Sequence, residues 1–414
     1  MTRRVTSSLL TTLALVWFAT IVCQAQQQPA QDPQEYDAWR ASMKQTPLPY
    51  KGCFTATFPA IEWHEVACTT APNRPIGRPR DGNAPTVGNG VDYSGVVTGL
   101  LTQAEGYFVT VSNVTSSNSY TLQLNTNTFT TSVCTAGCVG WQQFIYSSSP
   151  SSVFMQYWMI NYGATCPSGW NKYSTSDCWK NSSATSVGTQ SIANLPSITL
   201  TGKASGGTDT VVMDINGSNI TAVGQDTVLN LEKGWNTAEY NVFGDCCGSQ
   251  VNLNSNASLV AQVSLTNGTK NAPSCQKVGY TGETNNLSLI GPCCPYAGTT
   301  PVIEFLESNA SGATASCGAS AINTNILPAP YATNVVVTMC CGVPPSYINY
   351  SMTLVENAGS TIHMLIDVCQ SVYSESSYPG SFDFQNDQPS CSPYGTMYAT
   401  APGYLQSATV GLGW

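Results

Sequence analysis

The sequence has few charged residues. Of its 414 residues only 9% are Asp, Glu, Lys or Arg, and 14 basic against 23 acidic residues leave a formal net charge of −9 at pH 7. Lys and Arg do not cluster, which argues against a nucleic-acid partner. Because the chain has few acidic residues, few carboxyl groups must be ionised for the fold to be stable, and this suits an acidic environment. The Glu, Lys, Ala and Leu blocks that build long helices are missing too.

Histidine is scarce as well, and common enzyme signatures are missing. The chain has only His64 and His363, and no Cys-x-x-Cys pair occurs, so the sequence predicts no metal site and no cofactor. It contains no Gly-x-Ser-x-Gly, no His-Glu-x-x-His, no glycine-rich phosphate loop followed by Lys, and no Asp-Thr-Gly or Asp-Ser-Gly. Both histidines are expected to be structural. The catalytic chemistry that remains is that of carboxyl groups.

The first 25 residues have the pattern of a signal peptide. Arg3 and Arg4 precede an apolar run, Leu9 to Val22, and the small residue Ala25 ends the segment. The apolar run is short for a membrane span, and no other candidate follows it. The sequence therefore predicts a secreted, extracellular protein without a membrane span. Lipid attachment at Cys23 is the alternative interpretation.

Sixteen cysteines remain after Cys23 is removed, and an even number in an exported chain favours disulfide bonds. The doublets at 246–247, 293–294 and 340–341 leave much of the connectivity open. Nine Asn-x-Ser/Thr sequons are candidate glycosylation sites, and the first four of them begin at residues 113, 181, 216 and 219. Local disulfide bonds are predicted for three pairs: Cys53 with Cys68, Cys134 with Cys138, and Cys166 with Cys178.

Three parts follow the signal peptide. Residues 26–95 form an N-terminal segment, which is either a removable pro-segment or a strap across the domain surface. Within it, Pro33–Met43 is predicted to form a short helix, and Asn73–Gly95, rich in Pro and Gly, an extended and poorly packed connector. Residues 96–312 form the main domain. Residues 313–414 form a Cys-rich β extension of unknown role, either a disulfide-stapled appendage or further strands of the main domain.

Short strands separated by polar turns dominate the main domain. The clearest pair is Trp141–Tyr146 and Val153–Asn161, joined by a Ser/Pro turn at Ser147–Pro150. Gly206-Gly207 and Asn216-Gly217 mark further turns. The pattern predicts an all-β fold with two antiparallel sheets packed as a sandwich. The remaining predicted strands are Gly106–Val111, Thr121–Leu124, Ile198–Thr201, Thr210–Ile215, Thr227–Leu231, Ala238–Phe243, Ser258–Leu265, Val302–Leu306, Val335–Met339 and Thr361–Val368.

Two polar residues lie within predicted strands. Gln156 has large apolar neighbours, and its primary amide has four hydrogen-bonding valences to satisfy. In a sandwich such a glutamine can simply face a partner side chain or water. Glu239 lies in a strand, where glutamate is disfavoured. On a solvated face it needs no explanation, whereas in a cleft it could act as a base.

The strands that carry these two residues resemble those of the glutamic peptidases of the eqolisin type. Val153-Phe154-Met155-Gln156 is similar to the family's glutamine strand, and Thr237-Ala238-Glu239-Tyr240-Asn241-Val242 to its glutamate strand, with a separation of 239 − 156 = 83 residues. The resemblance covers residues 96–312. The chain departs from it at Trp141-Gln142-Gln143-Phe144, which replaces a Trp-Val-Gly-Ile-Asp-Gly-like run, and at Tyr157-Trp158, which replaces Thr-Gly.

The resemblance implies a concanavalin A-like β-sandwich and a secreted endopeptidase that acts on protein or peptide substrates in acid. It implies that Gln156 and Glu239 form a catalytic dyad, in which Glu239 takes a proton from water as general base. The Gln156 amide would stabilise the oxyanion, a contribution of about 3–4 kcal/mol where such a donor has been removed from an enzyme. Trp141, Trp158 and Asp245 would shape the substrate cleft. This chemistry requires Gln156 and Glu239 to face one groove.

A second class of function stays open, namely a non-catalytic sandwich that binds carbohydrate or another surface. The chain has 20 Tyr and 9 Trp, and it is rich in Asn and Thr. Aromatic faces and amides are typical of sugar-binding sites, although packing in the core would also account for most of the aromatic residues. Trp158 and Trp170 are the candidate residues. A glycosidase would need two carboxyl groups at a suitable spacing, and the sequence does not indicate such a pair.

Overall fold

A computed structural model of the chain describes residues 36–317, apart from 37–38, 41, 45, 49, 80–85, 117, 135–136, 299 and 316, and the backbone of strands between residues 334 and 411. The predicted signal peptide lies outside the described residues. So do the side chains of Cys340, Cys341, Cys369 and Cys391. Within the described residues, no helix is both long enough and apolar enough to cross a membrane.

Residues 36–317 are built mainly from β-strands. Short 3₁₀ helices span Ile192–Ser197, Asp226–Val228 and Leu231–Lys233. The strands are β1 (Gly52–Thr57), β2 (His64–Glu65), β3 (Thr69–Thr70), β4 (Tyr93–Val96), β5 (Gln103–Ser112), β6 (Tyr120–Thr126), β7 (Val139–Ser148), β8 (Ser151–Ile160), β9 (Asn171–Lys172), β10 (Cys178–Asn181), β11 (Ser183–Ser186), β12 (Ile198–Ser205), β13 (Thr208–Ile215), β14 (Ser218–Gln225), β15 (Thr237–Gly244), β16 (Gln250–Val251), β17 (Ser258–Thr266), β18 (Ser274–Lys277), β19 (Thr284–Asn285), β20 (Ser288–Tyr296) and β21 (Val302–Ser308).

These strands form two large antiparallel sheets that pack face to face. Sheet 1 has the order β2-β1-β14-β13-β12-β5-β17-β21-β20, and sheet 2 the order β18-β4-β15-β6-β7-β8-β10-β9. Strand β11 pairs with β8 and β3, and β16 pairs with β19 in a separate small sheet. The predicted all-β class and two-sheet sandwich are therefore confirmed.

The core lies between the two sheets, and strand periodicity decides which side chains enter it. On β15, Tyr240 and Val242 point into the core, and on β8 Met155 and Tyr157 do so. Successive side chains on a strand point to opposite faces, so the residues between them lie on the outer face of sheet 2. That outer face is the one that carries both Gln156 and Glu239.

Most strands predicted from the sequence are present, but one prediction is wrong. Thr227–Leu231 does not form a strand; it lies across two 3₁₀ helices. Asn230 between them has a left-handed backbone (φ 57°, ψ 47°), and the main-chain N–H of Glu232 donates to Asp226 Oδ1 at 2.9 Å. Asn tolerates this conformation well, so the turn ends any extended run.

The N-terminal segment packs against sheet 1. Residues 36, 39, 40 and 42–44 are helical, and all but Lys44 fall within the predicted helix Pro33–Met43. Tyr36 and Trp39, three residues apart on this helix, stack with their ring centroids 5.7 Å apart. The Tyr36 hydroxyl donates to Asp214 of β13 at 2.8 Å. These contacts hold the helix against the outer face of sheet 1.

The interpretation of Asn73–Gly95 as a poorly packed connector is wrong for residues 73–79 and for residues 86–95, where Val87, Asp92 and Ser94 are fully buried and strand β4 begins at Tyr93. Residues 80–85 lie outside the described part. Ile76 is only 1% exposed and packs with Phe154 and Ile145 of sheet 2. Proline has no N–H to satisfy, and glycine permits close approach, so a Pro- and Gly-rich segment can pack tightly without forming a strand.

All three predicted disulfide bonds are confirmed: Cys53–Cys68, Cys134–Cys138 and Cys166–Cys178. The structure adds pairs that the sequence left open, namely Cys246–Cys247, Cys275–Cys293 and Cys294–Cys317. The last of these joins β20 to the residue at the end of the 36–317 range.

The extension also contains strands, in separate sheets from the sandwich. One sheet has the order β25-β24-β22-β27-β28, and β23 pairs with β26. The predicted strands Val335–Met339 and Thr361–Val368 correspond to β22 and β24. The bounds are β22 (Asn334–Cys340), β23 (Ile348–Thr353), β24 (His363–Val368), β25 (Ser371–Ser376), β26 (Ser381–Asn386), β27 (Tyr394–Ala401) and β28 (Tyr404–Gly411).

Candidate active site

A row of polar side chains crosses the outer face of sheet 2. Glu239 on β15 is paired with Asn125 on β6, Asn125 with Gln143 on β7, and Gln143 with Gln156 on β8. Asn181 on β10 is paired with Gln156 and continues the row. These residues, here called the polar row, share one face because paired residues in neighbouring strands point the same way. The row therefore connects the two residues predicted to form the dyad.

Hydrogen bonds link the members of the polar row from end to end. Asn125 Nδ2 donates to Glu239 Oε2 at 3.0 Å, and Gln143 Nε2 donates to Asn125 Oδ1 at 3.1 Å. The indole N–H of Trp158 donates to both Gln143 Oε1 and Gln156 Oε1, each at 3.1 Å. Because the groups are buried, such a network holds its members in fixed orientations.

Gln156 and Glu239 are on one face but not in contact. Three inter-strand steps of about 4.8 Å place their backbones about 14 Å apart. The side chains of Asn125 and Gln143 lie between them. Gln143 is the third residue of Trp141-Gln142-Gln143-Phe144. The Trp-Val-Gly-Ile-Asp-Gly-like run of the glutamic peptidases, which this segment replaces, has glycine at the same place. The groove between Gln156 and Glu239 is therefore filled by an amide in this chain.

The Gln156 amide uses all of its hydrogen-bonding capacity. Besides the bond from Trp158, its Oε1 accepts the main-chain N–H of Ile76 at 2.7 Å. Its Nε2 donates to the carbonyl oxygen of Arg74 at 3.1 Å and to Asn181 Oδ1 at 2.7 Å. Two of the four bonds thus go to the peptide backbone of the segment that lies across the sheet.

Glu239 is fully buried. Its Oε2 accepts from Asn125 and from the main-chain N–H of Tyr280 at 2.8 Å. Its Oε1 receives no hydrogen bond from an N–H or O–H donor of the described residues, and the Asp92 carboxyl group lies beside Glu239. Burial, against the opposing hydrogen bonds from Tyr280 and Asn125, raises the pKa of Glu239 to about 7. A single proton shared between Glu239 and Asp92 would let the two carboxyl groups bind each other.

Further carboxyl groups are buried nearby. Burial raises the pKa of Glu283 to about 7 and that of Glu307 to about 8. Burial, followed by the charges of Glu239 and Glu307, raises the pKa of Asp92 well above its usual range. Asn241, two residues beyond Glu239, donates to both Asp92 and Glu307, at 3.1 and 3.2 Å. Below neutral pH these carboxyl groups are largely neutral, and this removes most of their mutual repulsion.

The predicted cleft residues lie around the polar row. Trp141 and Trp158 are both buried, and their rings, 5.7 Å apart, pack side by side on the same outer face. Asp245 follows β15 and forms an ion pair with Arg74, with Nη1 and Oδ2 3.1 Å apart. Trp158 contacts Gln156 directly, while Asp245 contacts the segment that crosses the sheet.

Asn125, Gln143, Asn181 and Asp92 were not identified as candidate residues from the sequence. Each is a common polar residue, and the only motif that includes one of them is the sequon at Asn181, which indicates glycosylation rather than catalysis. Only the strand register, which is fixed by pairings between segments distant in the chain, brings them beside Gln156 and Glu239. The one available signal was the spacing on β7, where Gln143 lies two positions after Trp141 and therefore on the same face of the strand.

A separate open pocket of about 430 Å³ lies at the edge of the sandwich. Trp170, Tyr162, Met159 and Lys180 line part of it. The Lys180 ammonium lies 4.6 Å from the centre of the Trp170 ring. Since Lys180 and Asn181 are successive residues of β10, this pocket is on the opposite side of sheet 2 from the polar row.

Among the described residues, no group of three His, Cys, Asp or Glu side chains is placed to hold a metal ion. A scan against models of known protein families finds no match to this chain, and no curated protein matches it either. The chemistry of the site therefore has to be argued from its own residues.

Proposed function

We propose that the protein is a secreted, acid-active endopeptidase of the glutamic type, in which Gln156 and Glu239 act on a peptide bound across the outer face of sheet 2. The observation that carries the proposal is that the Gln156 amide binds peptide backbone on both of its sides, at 2.7 Å to Ile76 N–H and 3.1 Å to the Arg74 carbonyl. The disulfide bonds and the signal-like N-terminus support secretion.

Gln156 is suited to oxyanion stabilisation. Its Nε2 already donates to a main-chain carbonyl oxygen, the group that becomes the oxyanion when water attacks. Trp158 and Asn181 hold the amide in place through hydrogen bonds of 3.1 and 2.7 Å. A donor that is fixed before the reaction needs no reorganisation as negative charge develops, and this is what makes such donors effective.

Glu239 would take the proton from the attacking water. A carboxyl group with a pKa of about 7 is mostly protonated in acid and cannot act as a base there. Burial is the largest cause of this raised pKa, so access of water to Glu239 returns its pKa toward the usual value of 4.5. The covered form is therefore latent, and activity requires the face of sheet 2 to be uncovered.

The attacking water also needs space. With Gln143 and Asn125 between the two catalytic side chains, water can contact both Glu239 and a peptide held by Gln156 only if Gln143 turns out of the polar row. Its amide nitrogen donates to Gln123 and Asn125, and its amide oxygen accepts from the Trp158 indole N–H; all three bonds are 3.1 Å long and join neutral groups. Breaking such a bond where water can replace it costs about 1 kcal/mol, which substrate binding can offset.

The test is hydrolysis of an unstructured protein between about pH 2 and 5, where an unperturbed carboxyl group titrates. Glu239→Gln should lower the rate by a factor of about 10² or more, the contribution of a general base. Gln156→Ala should lower it by a factor of about 10²–10³. Glu304→Gln is the matched control, because Glu304 is also a buried carboxyl group but lies on β21 of sheet 1. Because the covered form is latent, both versions are also assayed in a chain that carries Ile76→Asp, which places a charge in the apolar cluster under the covering segment and opens the face of sheet 2. Equal rates with and without Glu239→Gln in that chain would reject the proposal.

Carbohydrate binding is a second candidate, and the pocket beside Trp170 favours it. Trp170 is half-buried, so part of its ring is available for stacking on a sugar. Trp158, by contrast, is fully buried and bonded to Gln156, so it is a poor choice for a sugar platform. Polysaccharide retention that is lost in Trp170→Ala, together with unchanged hydrolysis, would assign binding to this pocket. Retention unaffected by Trp170→Ala would argue against it.

A further inference from the structure

Residues 71–79, here called the strap, cross the outer face of sheet 2. The polar row contacts the strap through its main chain. Gln156 binds the N–H of Ile76 and the carbonyl of Arg74, and Asn181 Nδ2 donates to the carbonyl of Pro72 at 2.9 Å. Main-chain groups are common to every peptide, so this mode of contact binds an extended chain without requiring one particular sequence.

The side chains of the strap occupy distinct environments. Arg74 donates to Asp245 at 3.1 Å and to Ser147 Oγ at 3.0 Å. Ile76 enters an apolar cluster with Ile145 and Phe154. Arginine therefore has an acidic partner at the rim, and two positions later an aliphatic side chain has a dry pocket.

The residue after Ile76 has almost no room. A Cβ atom on Gly77 would lie 2.6 Å from the hydroxyl oxygen of Tyr173, closer than real Cβ contacts. The Gly77 carbonyl accepts the main-chain N–H of Gly282 at 2.7 Å, which ties the strap to the loop whose Tyr280 N–H binds Glu239. Displacement of the strap thus also removes one hydrogen bond that holds the loop over Glu239.

We propose that the strap is an intramolecular peptide ligand, and that the groove it fills binds extended polypeptides with the pattern Arg-x-aliphatic-Gly. The pattern follows from the environments of Arg74, Ile76 and Gly77. This inference rests on the proposed function, because it names the substrate class of the same face. It also makes residues 71–79 the part of the N-terminal segment that must leave before a substrate can enter.

The experiment measures peptide binding and needs no hydrolysis. The probe is a fluorescein-labelled peptide with the sequence of residues 71–79, titrated by fluorescence anisotropy into the full chain carrying Glu239→Gln. With its strap in place this protein should bind weakly, since a tethered competitor acts at an effective concentration on the order of millimolar. Adding Ile76→Asp, which places a charge in the apolar pocket, should tighten binding by at least about tenfold. Ile61→Asp, at a 59% exposed position outside the strap, is the matched control and should change nothing.

Two further measurements test the details of the groove. A probe with Val in place of Gly77 should lose binding, as should the unchanged probe on a protein that also carries Gln156→Ala. Should Ile76→Asp fail to fold by circular dichroism, Arg74→Glu replaces it, because Arg74 is partly exposed and Glu repels Asp245. Binding no tighter in a folded strap variant than in the parent, or equal binding of the Val probe, would overturn the proposal.

The two proposals fail separately. If the probe binds as expected but hydrolysis does not depend on Glu239, the peptide-binding groove is supported and the peptidase proposal is rejected. If hydrolysis depends on Glu239 but displacement of the strap does not tighten probe binding, the peptidase proposal is supported and the strap is not its internal ligand.

Discussion

At the scale of single residues, the site is decided by the state of one carboxyl group. Glu239 lies among uncharged hydrogen-bond donors, with Asp92 beside it, and no positively charged side chain in the described part of the chain bonds to its oxygen atoms. A buried carboxylate without a cation is costly, and the raised pKa is the direct expression of that cost. The burial that raises the pKa of Glu239 and makes it a candidate catalyst also makes its ionised form destabilise the fold above neutral pH.

Glu239→Gln should therefore stabilise the protein at pH 8 and leave its stability at pH 4 nearly unchanged. At pH 8 the substitution removes a buried ionised group, and the shift of the pKa from 4.5 to about 7 corresponds to about 3 kcal/mol. At pH 4 the acid is already neutral, and the amide oxygen still accepts from Asn125 and Tyr280. Urea unfolding at both pH values measures this. Glu62→Gln, at an exposed position, is the control; a fall in stability at pH 8 would contradict the expectation.

Gln143→Gly should open the space between Gln156 and Asn125. If Gln143 obstructs the attacking water, hydrolysis in acid should rise, and a tenfold gain requires only about 1.4 kcal/mol of better transition-state binding. The lost hydrogen bonds and the glycine should lower stability by about 1–3 kcal/mol.

The neighbouring substitution Gln142→Gly is the matched control for Gln143→Gly. Gln142 points to the other side of β7, with its Nε2 3.7 Å from the Met155 sulfur, and carries the same glycine cost. Hydrolysis should rise only in the Gln143 variant, as measured by the acid proteolysis assay. A fall in both variants would mean that Gln143 supports the site rather than obstructing it.

At the scale of strands, the sandwich depends on close contact where β5 and β15 cross. Gly106 of β5 lies against the ring of Tyr240, and a Cβ atom there would overlap the ring. Gly106→Ala should lower the free energy of unfolding by about 2–3 kcal/mol, since overpacking a rigid core forces side chains or backbone to shift. Gly188→Ala, whose Cβ would lie 3.8 Å from the Gln190 side-chain nitrogen, should change it by less than about 0.5 kcal/mol. Equal effects in urea unfolding would contradict this account.

The strands were largely predictable because their signals are local. The β7–β8 hairpin is specified by two runs of β-branched and aromatic residues around a Ser/Pro turn, and the structure places β7 at Val139–Ser148 and β8 at Ser151–Ile160. Thr227–Leu231 failed because its alternating apolar residues belong to two 3₁₀ turns around Asn230. The sequence did not indicate that Asn230 takes a left-handed backbone, which ends the extended run.

The site was predictable only in part, because it depends on distant pairings. Gln156 and Glu239 could be selected as unusual strand residues, and the register then placed them in one row. The strap could not be recognised, since its Pro- and Gly-rich sequence is equally typical of a loose connector. What buries Ile76 is an apolar cluster from β7 and β8, some 70 residues later in the chain.

At the scale of the whole molecule, an unusual number of carboxyl groups is buried in a chain with little charge. Burial raises the pKa values of Glu239, Glu283 and Glu304 to about 7 and that of Glu307 to about 8. A group whose folded pKa exceeds its unfolded value supports the fold fully below the unfolded value, and this support is lost as the pH rises through the folded value. The folded protein is therefore more stable while each of these glutamates is protonated, and it loses stability as each one ionises.

The protein should therefore unfold more easily as the pH rises from about 4.5 to 8. One glutamate with a pKa shifted from 4.5 to about 7 accounts for about 3 kcal/mol, and neighbouring carboxyl groups share rather than add their effects. Below pH 4.5 the trend reverses, since burial of Glu105 is outweighed by Lys44 and Arg40, which lower its pKa, and protonation then breaks this ion pair. Thermal unfolding followed by circular dichroism from pH 3 to 8 should show a maximum near pH 4–5. A melting temperature that is flat or rises toward pH 8 would mean that water reaches these carboxyl groups in the folded protein. Such a result would also contradict the proposal that the site is covered and latent.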